Sequence, residues 1–133
     1  DVIQTIDSKK LAEKVNKKAK SINKKQRIFC QINIGKDPNK TGFSEKELMK
    51  TVFTIINLSN IKLEGIMTIL PLIKTQKERE YLFLKTKKFR DHISKKHKIP
   101  LELSMGMSGD YREAIACGST LIRLGSKIFG TRT

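Results

Sequence analysis

Five short apolar runs alternate with segments of helical periodicity along the chain, and this alternation restricts the fold more than any other feature. The predicted strands are 2–6, 27–34, 63–69, 101–105 and 120–124, with a predicted helix between each pair. A strand that is followed by a helix and then by a neighbouring strand returns to the sheet in a parallel direction. The alternation of strands and helices therefore predicts a parallel α/β sheet covered by helices, with right-handed connections between the strands.

Capping residues and apolar spacing predict the limits of the helices. Ser44 and Glu47 form a capping box at the start of the second helix, and Gly118 suits a left-handed end to the fourth. The long third helix is predicted over about 74–96. Its expected inward-facing side chains are Tyr81, Leu84, Lys88 (through its aliphatic stem), Phe89 and Ile93.

Length and the rarer residue types exclude several classes of protein. At 133 residues the chain is long enough for one domain with its own core, without a run of 18 apolar residues that could span a membrane. Cys30 and Cys117 lack the spacing of a metal site or redox pair, so we expect both in the core of a cytoplasmic protein. His92 and His97 lack partners at ligand spacing, and no metal site is predicted.

A formal net charge of +15 invites a nucleic-acid-binding interpretation. It arises from 28 Lys and Arg against 13 Asp and Glu, and 22 of the 28 are lysines spread through the chain. Base and phosphate recognition favours the planar fork of Arg, and RNA-binding platforms need aromatic side chains, which are few here. We expect nonspecific attraction to phosphate backbones and no specific nucleic-acid site. A basic nucleic-acid-binding module remains the second alternative function.

Glycines and serines cluster after the last two predicted strands, where the active sites of parallel α/β folds form. The segment 104–110 holds two Gly, two Ser and two Met before a helix, and Gly125 and Ser126 follow the next strand. Gly lets backbone N–H groups approach an anion, and a Ser hydroxyl adds a donor. Two such segments side by side predict a phosphate site. The alternative is that Ser108 caps a helix and that Gly125 and Gly130 form ordinary turns.

Arg123 interrupts an otherwise apolar strand two positions before Gly125. A buried guanidinium needs hydrogen-bond acceptors. A solvated strand end, a carboxylate partner or a ligand atom would each provide them. Arg123 is therefore a candidate ligand-binding residue.

The C-terminal motifs resemble the signature of the pyridoxal-phosphate homeostasis proteins, single-domain relatives of the alanine racemase N-terminal barrel. The residues that carry the resemblance are Leu103 to Ile115 and Ile122 to Arg132, with shorter matches within 4–12, 31–43 and 65–69. That family folds as a (β/α)8 TIM-type barrel, and this chain matches about its last five strands. The resemblance therefore implies a partial barrel domain over residues 1–133, with the N-terminal strands missing.

The same resemblance implies a pocket for pyridoxal 5′-phosphate (PLP). The phosphate group is expected on Ser108, Gly125 and Ser126, and the pyridine nitrogen is expected to face Arg123. The predicted cofactor-binding set is completed by Ser104 and Met107.

The family's Schiff-base lysine lies in its first strand, and no lysine of this chain matches it. We therefore expect a PLP-binding protein of intracellular vitamin B6 homeostasis, a carrier without catalytic residues. Its expected partners are PLP and, as candidates, PLP-dependent client enzymes. The first alternative is a PLP-dependent amino-acid racemase, which would need a second acid or base, usually a Tyr from a separate domain.

Overall fold

The computed structural model describes residues 1–73 and 75–131. Lys74, the predicted start of the third helix, and Arg132, in the C-terminal motif, lie outside the described residues. The described part contains strands β1 (Val2–Ile6), β2 (Gln26–Ile32), β3 (Ile61–Thr68), β4 (Glu102–Met107) and β5 (Leu121–Arg123). The helices are α1 (Lys9–Ser21), α2 (Glu45–Ile56), α3 (Gln76–His97), α4 (Tyr111–Ala116) and α5 (Ser126–Phe129).

The five strands form one parallel sheet in the order β1-β2-β3-β4-β5, as the alternating pattern predicts. The sheet is curled. Ser104 on β4 and Gln4 on β1 are joined by a side-chain hydrogen bond of 2.6 Å, although two strands separate them in the sheet. The strands therefore curve around a concave face, as in part of a barrel.

Side chains of β2 alternate between the two faces of the sheet. Ile28, Cys30 and Ile32 are buried in the main core beneath the helices, whereas Phe29 and Gln31 point to the concave face. Burial raises the pKa of the Cys30 thiol to about 12, so the thiol stays protonated. Both described cysteines are free and buried, which confirms their expected place in the core.

Local capping explains where the helices begin and end. In α2 the Ser44 hydroxyl accepts from the Glu47 N–H over 3.2 Å, and the Glu47 carboxylate accepts from the Ser44 N–H over 2.8 Å. This reciprocal pair is the predicted capping box, and it holds the pKa of Glu47 below its usual range. Gly118, with φ of +95°, ends α4 in the left-handed conformation that was predicted for it.

The inner side of α3 differs from the prediction. Phe89 and Ile93 are buried as expected, but Tyr81, Leu84 and Lys88 are exposed. The stripe that faces the sheet also contains Phe83 and Thr86. Spacing alone could not choose between overlapping apolar stripes, because α3 has 22 residues and carries apolar side chains on more than one side.

One further helix was not predicted. The α5 turn covers only four residues, too few for periodicity to reveal. None of the described helices combines the length and apolar character needed to cross a membrane.

Gly65 is required by close packing on the concave face. A Cβ at this position would lie 2.5 Å from the Phe29 ring and 2.6 Å from the Glu102 carbonyl oxygen. The backbone of β4 cannot move away without breaking its pairing with β3, in which Gly65 is opposite Glu102. The absence of a side chain at Gly65 therefore makes room for the Phe29 ring.

We predict that Gly65→Ala lowers the free energy of unfolding by about 1–3 kcal/mol, because the added methyl group overpacks a rigid site. Urea unfolding measures this change. Gly109→Ala is the matched control, since a Cβ at Gly109 meets nothing within 4 Å. Equal stability of the two variants would contradict this account of the concave face.

Candidate functional site

The carboxyl ends of β4 and β5 lie side by side and carry the residues that the sequence singled out. Gly106, near the end of β4, has φ of +97°, and a Cβ there would lie 2.6 Å from the Ala114 Cβ. The missing side chain lets α4 pack directly against the strand end. The turn at 108–110 then connects the end of β4 to α4.

Ser108 joins this loop to the segment after β5. Its Oγ accepts hydrogen bonds from the N–H groups of Gly125 and Lys127, each over 3.2 Å. The residue that precedes α4 is Asp110, which makes no side-chain cap but accepts from the Met107 N–H over 2.7 Å. Ser108 therefore does not cap α4, and its hydroxyl instead accepts from two N–H groups at the start of α5 (Ser126–Phe129), so the alternative of a capping serine stays open there.

The space next to these donors is open. A Cβ added at Gly109, Gly125 or Gly130 would meet nothing within 4 Å. Ser126 is exposed, and its hydroxyl makes no hydrogen bond to any residue of the described ranges. A hydroxyl on Ser108, another on Ser126 and neighbouring backbone N–H groups form a donor set that suits a phosphate group.

Arg123 lies half-buried on the concave side of this site. Its Nη1 donates to Ser104 Oγ over 2.6 Å, and its Nη2 donates to the Thr68 carbonyl oxygen over 3.0 Å. Both acceptors are uncharged, and no ion pair with Arg123 is present among residues 1–73 and 75–131. Burial lowers the pKa of the guanidinium, while the charge of Asp110 acts in the opposite direction. Arg123 thus keeps a positive charge and further N–H donors for a ligand.

The predicted site residues differ in where they lie and in how exposed they are. Ser108, Gly125, Ser126 and Arg123 gather at the two strand ends, and Met107 is 44% exposed beside them. Ser104 is fully buried, with its hydroxyl engaged by Arg123 and by Gln4.

Two residues that take part in the hydrogen bonds of the site were not predicted from the sequence. Gln4 is a polar residue in the mostly apolar strand β1, a signal of the same kind as Arg123. Thr68 contributes a backbone carbonyl, which leaves no trace in the sequence.

Cations surround Tyr111 at the outer rim of the site. The Lys127 ammonium lies 5.0 Å from the centre of the Tyr111 ring, and the Arg112 Nε donates to the Tyr111 hydroxyl over 3.3 Å. The hydrogen bond from Arg112 is the main reason that the pKa of Tyr111 is lowered. This rim adds positive charge next to the proposed phosphate donors.

An ion pair holds α4 in place behind the site. Arg79 on α3 donates to Glu113 on α4 over 2.5 Å and to the Ile73 carbonyl oxygen over 3.2 Å. The Arg79 hydrogen bond holds the pKa of Glu113 below its usual range. The loop after β3 and the start of α4 are therefore linked through one side chain.

Another cleft lies at the opposite end of the sheet. It has a volume of about 520 Å³ and is lined by Arg27, Lys62 and Glu64 among others. Glu64 in this cleft already pairs with Arg27 at 2.8 Å and with Lys62 at 3.2 Å, so its carboxylate is engaged. A smaller cleft of about 280 Å³ adjoins the candidate site between Leu72, Met107 and Asp110. No group of metal-ligating side chains occurs within the part of the chain that the structure describes.

Comparison with known proteins places these features in a family. The chain is 40% identical over 131 residues to a pyridoxal phosphate homeostasis protein of Synechocystis sp. and 33% identical over 132 residues to one of Aquifex aeolicus. These alignments cover 98% of this chain, whereas the chain spans only 60% and 58% of the two relatives.

Solved structures show the same architecture. PipY of Synechococcus elongatus superposes with a TM-score of 0.93 at 33% identity without PLP, and 0.89 at 31% identity with PLP bound. Each match covers 98% of this chain and 61% of PipY. An alanine racemase of Clostridium difficile, 21% identical with a TM-score of 0.74, shares the fold.

The predicted fold class, part of a TIM-type barrel with parallel strands, is confirmed by these likenesses. The model of one family, described as alanine racemase, N-terminal domain, matches residues 1–133. This protein therefore belongs to the alanine racemase N-terminal domain family.

Proposed function

We propose that this chain binds PLP at the carboxyl ends of β4 and β5 and acts as a PLP carrier in vitamin B6 homeostasis. The observation that carries the proposal is the position of the Ser108 hydroxyl, which draws two backbone N–H groups of the neighbouring loop toward one point. The names of the similar proteins and the PLP-bound form of PipY support the same ligand.

The phosphate end of the ligand would be held by Ser108, Ser126 and the N–H groups of Gly125 and Lys127. The Ser108 oxygen already accepts from both N–H groups and so holds them beside its own hydroxyl proton. A phosphate oxygen would accept from the hydroxyl and take over these N–H donors from Ser108. Hydrogen bonds to a charged acceptor are the stronger kind. The lack of side chains at Gly109 and Gly125 leaves room for the phosphate.

The ring end would be held by Arg123. A guanidinium only donates hydrogen bonds and keeps its positive charge. A pyridine nitrogen that faces it would therefore act as the acceptor and stay unprotonated. PLP, when bound, can serve as an electron sink, and an unprotonated ring nitrogen weakens that property. This effect limits the carbanion chemistry that the bound ligand could support.

The described lysines provide no candidate for a Schiff base with PLP. None of the lysines that the structure describes is buried, so none of them is held in a shielded position beside Arg123. We therefore propose that the described residues contact PLP through its phosphate and ring nitrogen, that the protein acts in the cytoplasm, and that PLP-dependent enzymes are candidate recipients. The chain spans about 60% of the length of its Synechocystis relative, so the carrier activity of a whole protein of this kind is proposed as well.

We predict that Ser108→Ala combined with Gly125→Ala weakens PLP binding by about ten- to a hundredfold, because a hydroxyl donor is lost and a methyl group enters the phosphate space. Equilibrium dialysis of PLP measures the change. Ser59→Ala is the control, since Ser59 is an exposed serine away from the site. Unchanged PLP retention in the double variant would reject the site assignment.

We also predict that borohydride reduction in the presence of PLP labels the lysines of this chain without a dominant site. Exposed amines form weak, exchanging adducts, whereas a shielded lysine would trap PLP selectively. Peptide mapping by mass spectrometry measures the distribution. One strongly labelled lysine would show that a residue of this chain takes the Schiff-base role, and it would contradict the expectation that none does.

A further inference from the structure

Two successive hydrogen bonds connect Arg123 with Gln4 across the concave face. Arg123 Nη1 donates to Ser104 Oγ over 2.6 Å, and Ser104 Oγ lies 2.6 Å from Gln4 Oε1. Gln4 and Ser104 are 100 positions apart in the sequence. We call these three side chains the Gln4–Ser104–Arg123 link, which joins β1, β4 and β5.

The chemistry of the groups sets the direction of each proton in the link. A guanidinium has five N–H donors and no acceptor, so Ser104 must accept from Arg123. The single hydroxyl proton of Ser104 then points at Gln4, which must present its amide oxygen. With the amide reversed, this proton would have no acceptor, so the satisfied arrangement is the one observed.

Burial makes the Gln4 oxygen difficult to replace. Ser104 is 0% exposed, so water cannot readily take over as the acceptor for its hydroxyl proton. Without the Gln4 oxygen, the hydroxyl would rotate toward another acceptor and turn its lone pairs away from Arg123. The remaining acceptor of Arg123 is the carbonyl of Thr68, which is 1% exposed.

The charge of Arg123 is left available by this arrangement. Both acceptors of the guanidinium are neutral, so they orient it without cancelling its charge. A carboxylate in the same place would have formed an ion pair and competed with a ligand. The link therefore fixes the direction of Arg123 and preserves its attraction for an acceptor on the concave side.

We propose that Gln4 is a positioning residue, which acts through Ser104 to hold Arg123 toward the ring of the bound ligand. The inference rests on the proposed function, since PLP is the ligand whose ring would meet Arg123. It assigns Ser104 an indirect role, in agreement with its burial, and it gives β1 a part in a site otherwise built from β3, β4 and β5.

The test compares two ligands. Gln4→Leu removes the acceptor at similar volume, and we expect the Kd for PLP to rise about tenfold while the Kd for inorganic phosphate stays unchanged. Phosphate alone probes the Ser108 and Gly125 donors and has no ring. A loss of affinity that is equal for both ligands would show a general structural effect and overturn the inference.

A double-mutant cycle tests the route through Ser104. Ser104→Ala should weaken PLP binding as Gln4→Leu does, and the double variant should lose little more than either single variant, because both changes break one link. Additive losses would overturn the proposed route. Thr5→Ala, at an exposed neighbour on β1, is the control and should bind PLP like the wild-type chain.

A measurement without ligand separates this inference from the proposed function. Rotation of the Arg123 guanidinium, followed by nitrogen-15 exchange spectroscopy, should be faster in Gln4→Leu than in the wild-type and Thr5→Ala chains. Unchanged rotation would overturn the positioning role. Failure of the wild-type chain to bind PLP, with the rotation changed as expected, would instead reject PLP as the ligand.

Discussion

Parallel pairing of all five strands is the constraint on which the candidate site depends. In a parallel sheet every strand ends at the same edge, so residues that are far apart in sequence become neighbours there. Ser108 follows β4 and Gly125 follows β5, and a hydrogen bond of 3.2 Å joins these two residues although they are 17 positions apart. An antiparallel arrangement would have placed these two segments at opposite ends of the sheet.

The candidate site also depends on the curvature of the sheet. A flat sheet of the same order would keep β1 away from β4, and Gln4 could not reach Ser104. Curling brings the polar side chains of the concave face together, where they satisfy one another beneath the strand ends. Isolated buried polar groups are costly, so a half-buried guanidinium on this face requires such acceptors. The Phe29 ring over Gly65 fills the neighbouring part of the same face.

Local features of the fold could be predicted from the sequence because they depend on a few adjacent residues. The capping box of Ser44 and the left-handed Gly118 are of this kind. The prediction of the inward-facing residues of α3 was partly wrong, because only contact with the sheet decides whether Phe83 or Leu84 is buried. For the site, the spacing of Ser and Gly indicated where Ser108 and Gly125 lie. The contact of Gln4 with Ser104 could not be predicted, because it depends on the curl of the sheet.

The central claim is that the donors around Ser108 bind the phosphate group of PLP. Calorimetric titration of the wild-type chain with PLP and with pyridoxal, which lacks the phosphate, tests it most directly. We predict that PLP binds at least about tenfold more tightly, because charge-assisted hydrogen bonds from the strand-end donors are available to PLP alone. Equal affinity for the two compounds, or no binding of PLP, would contradict the account.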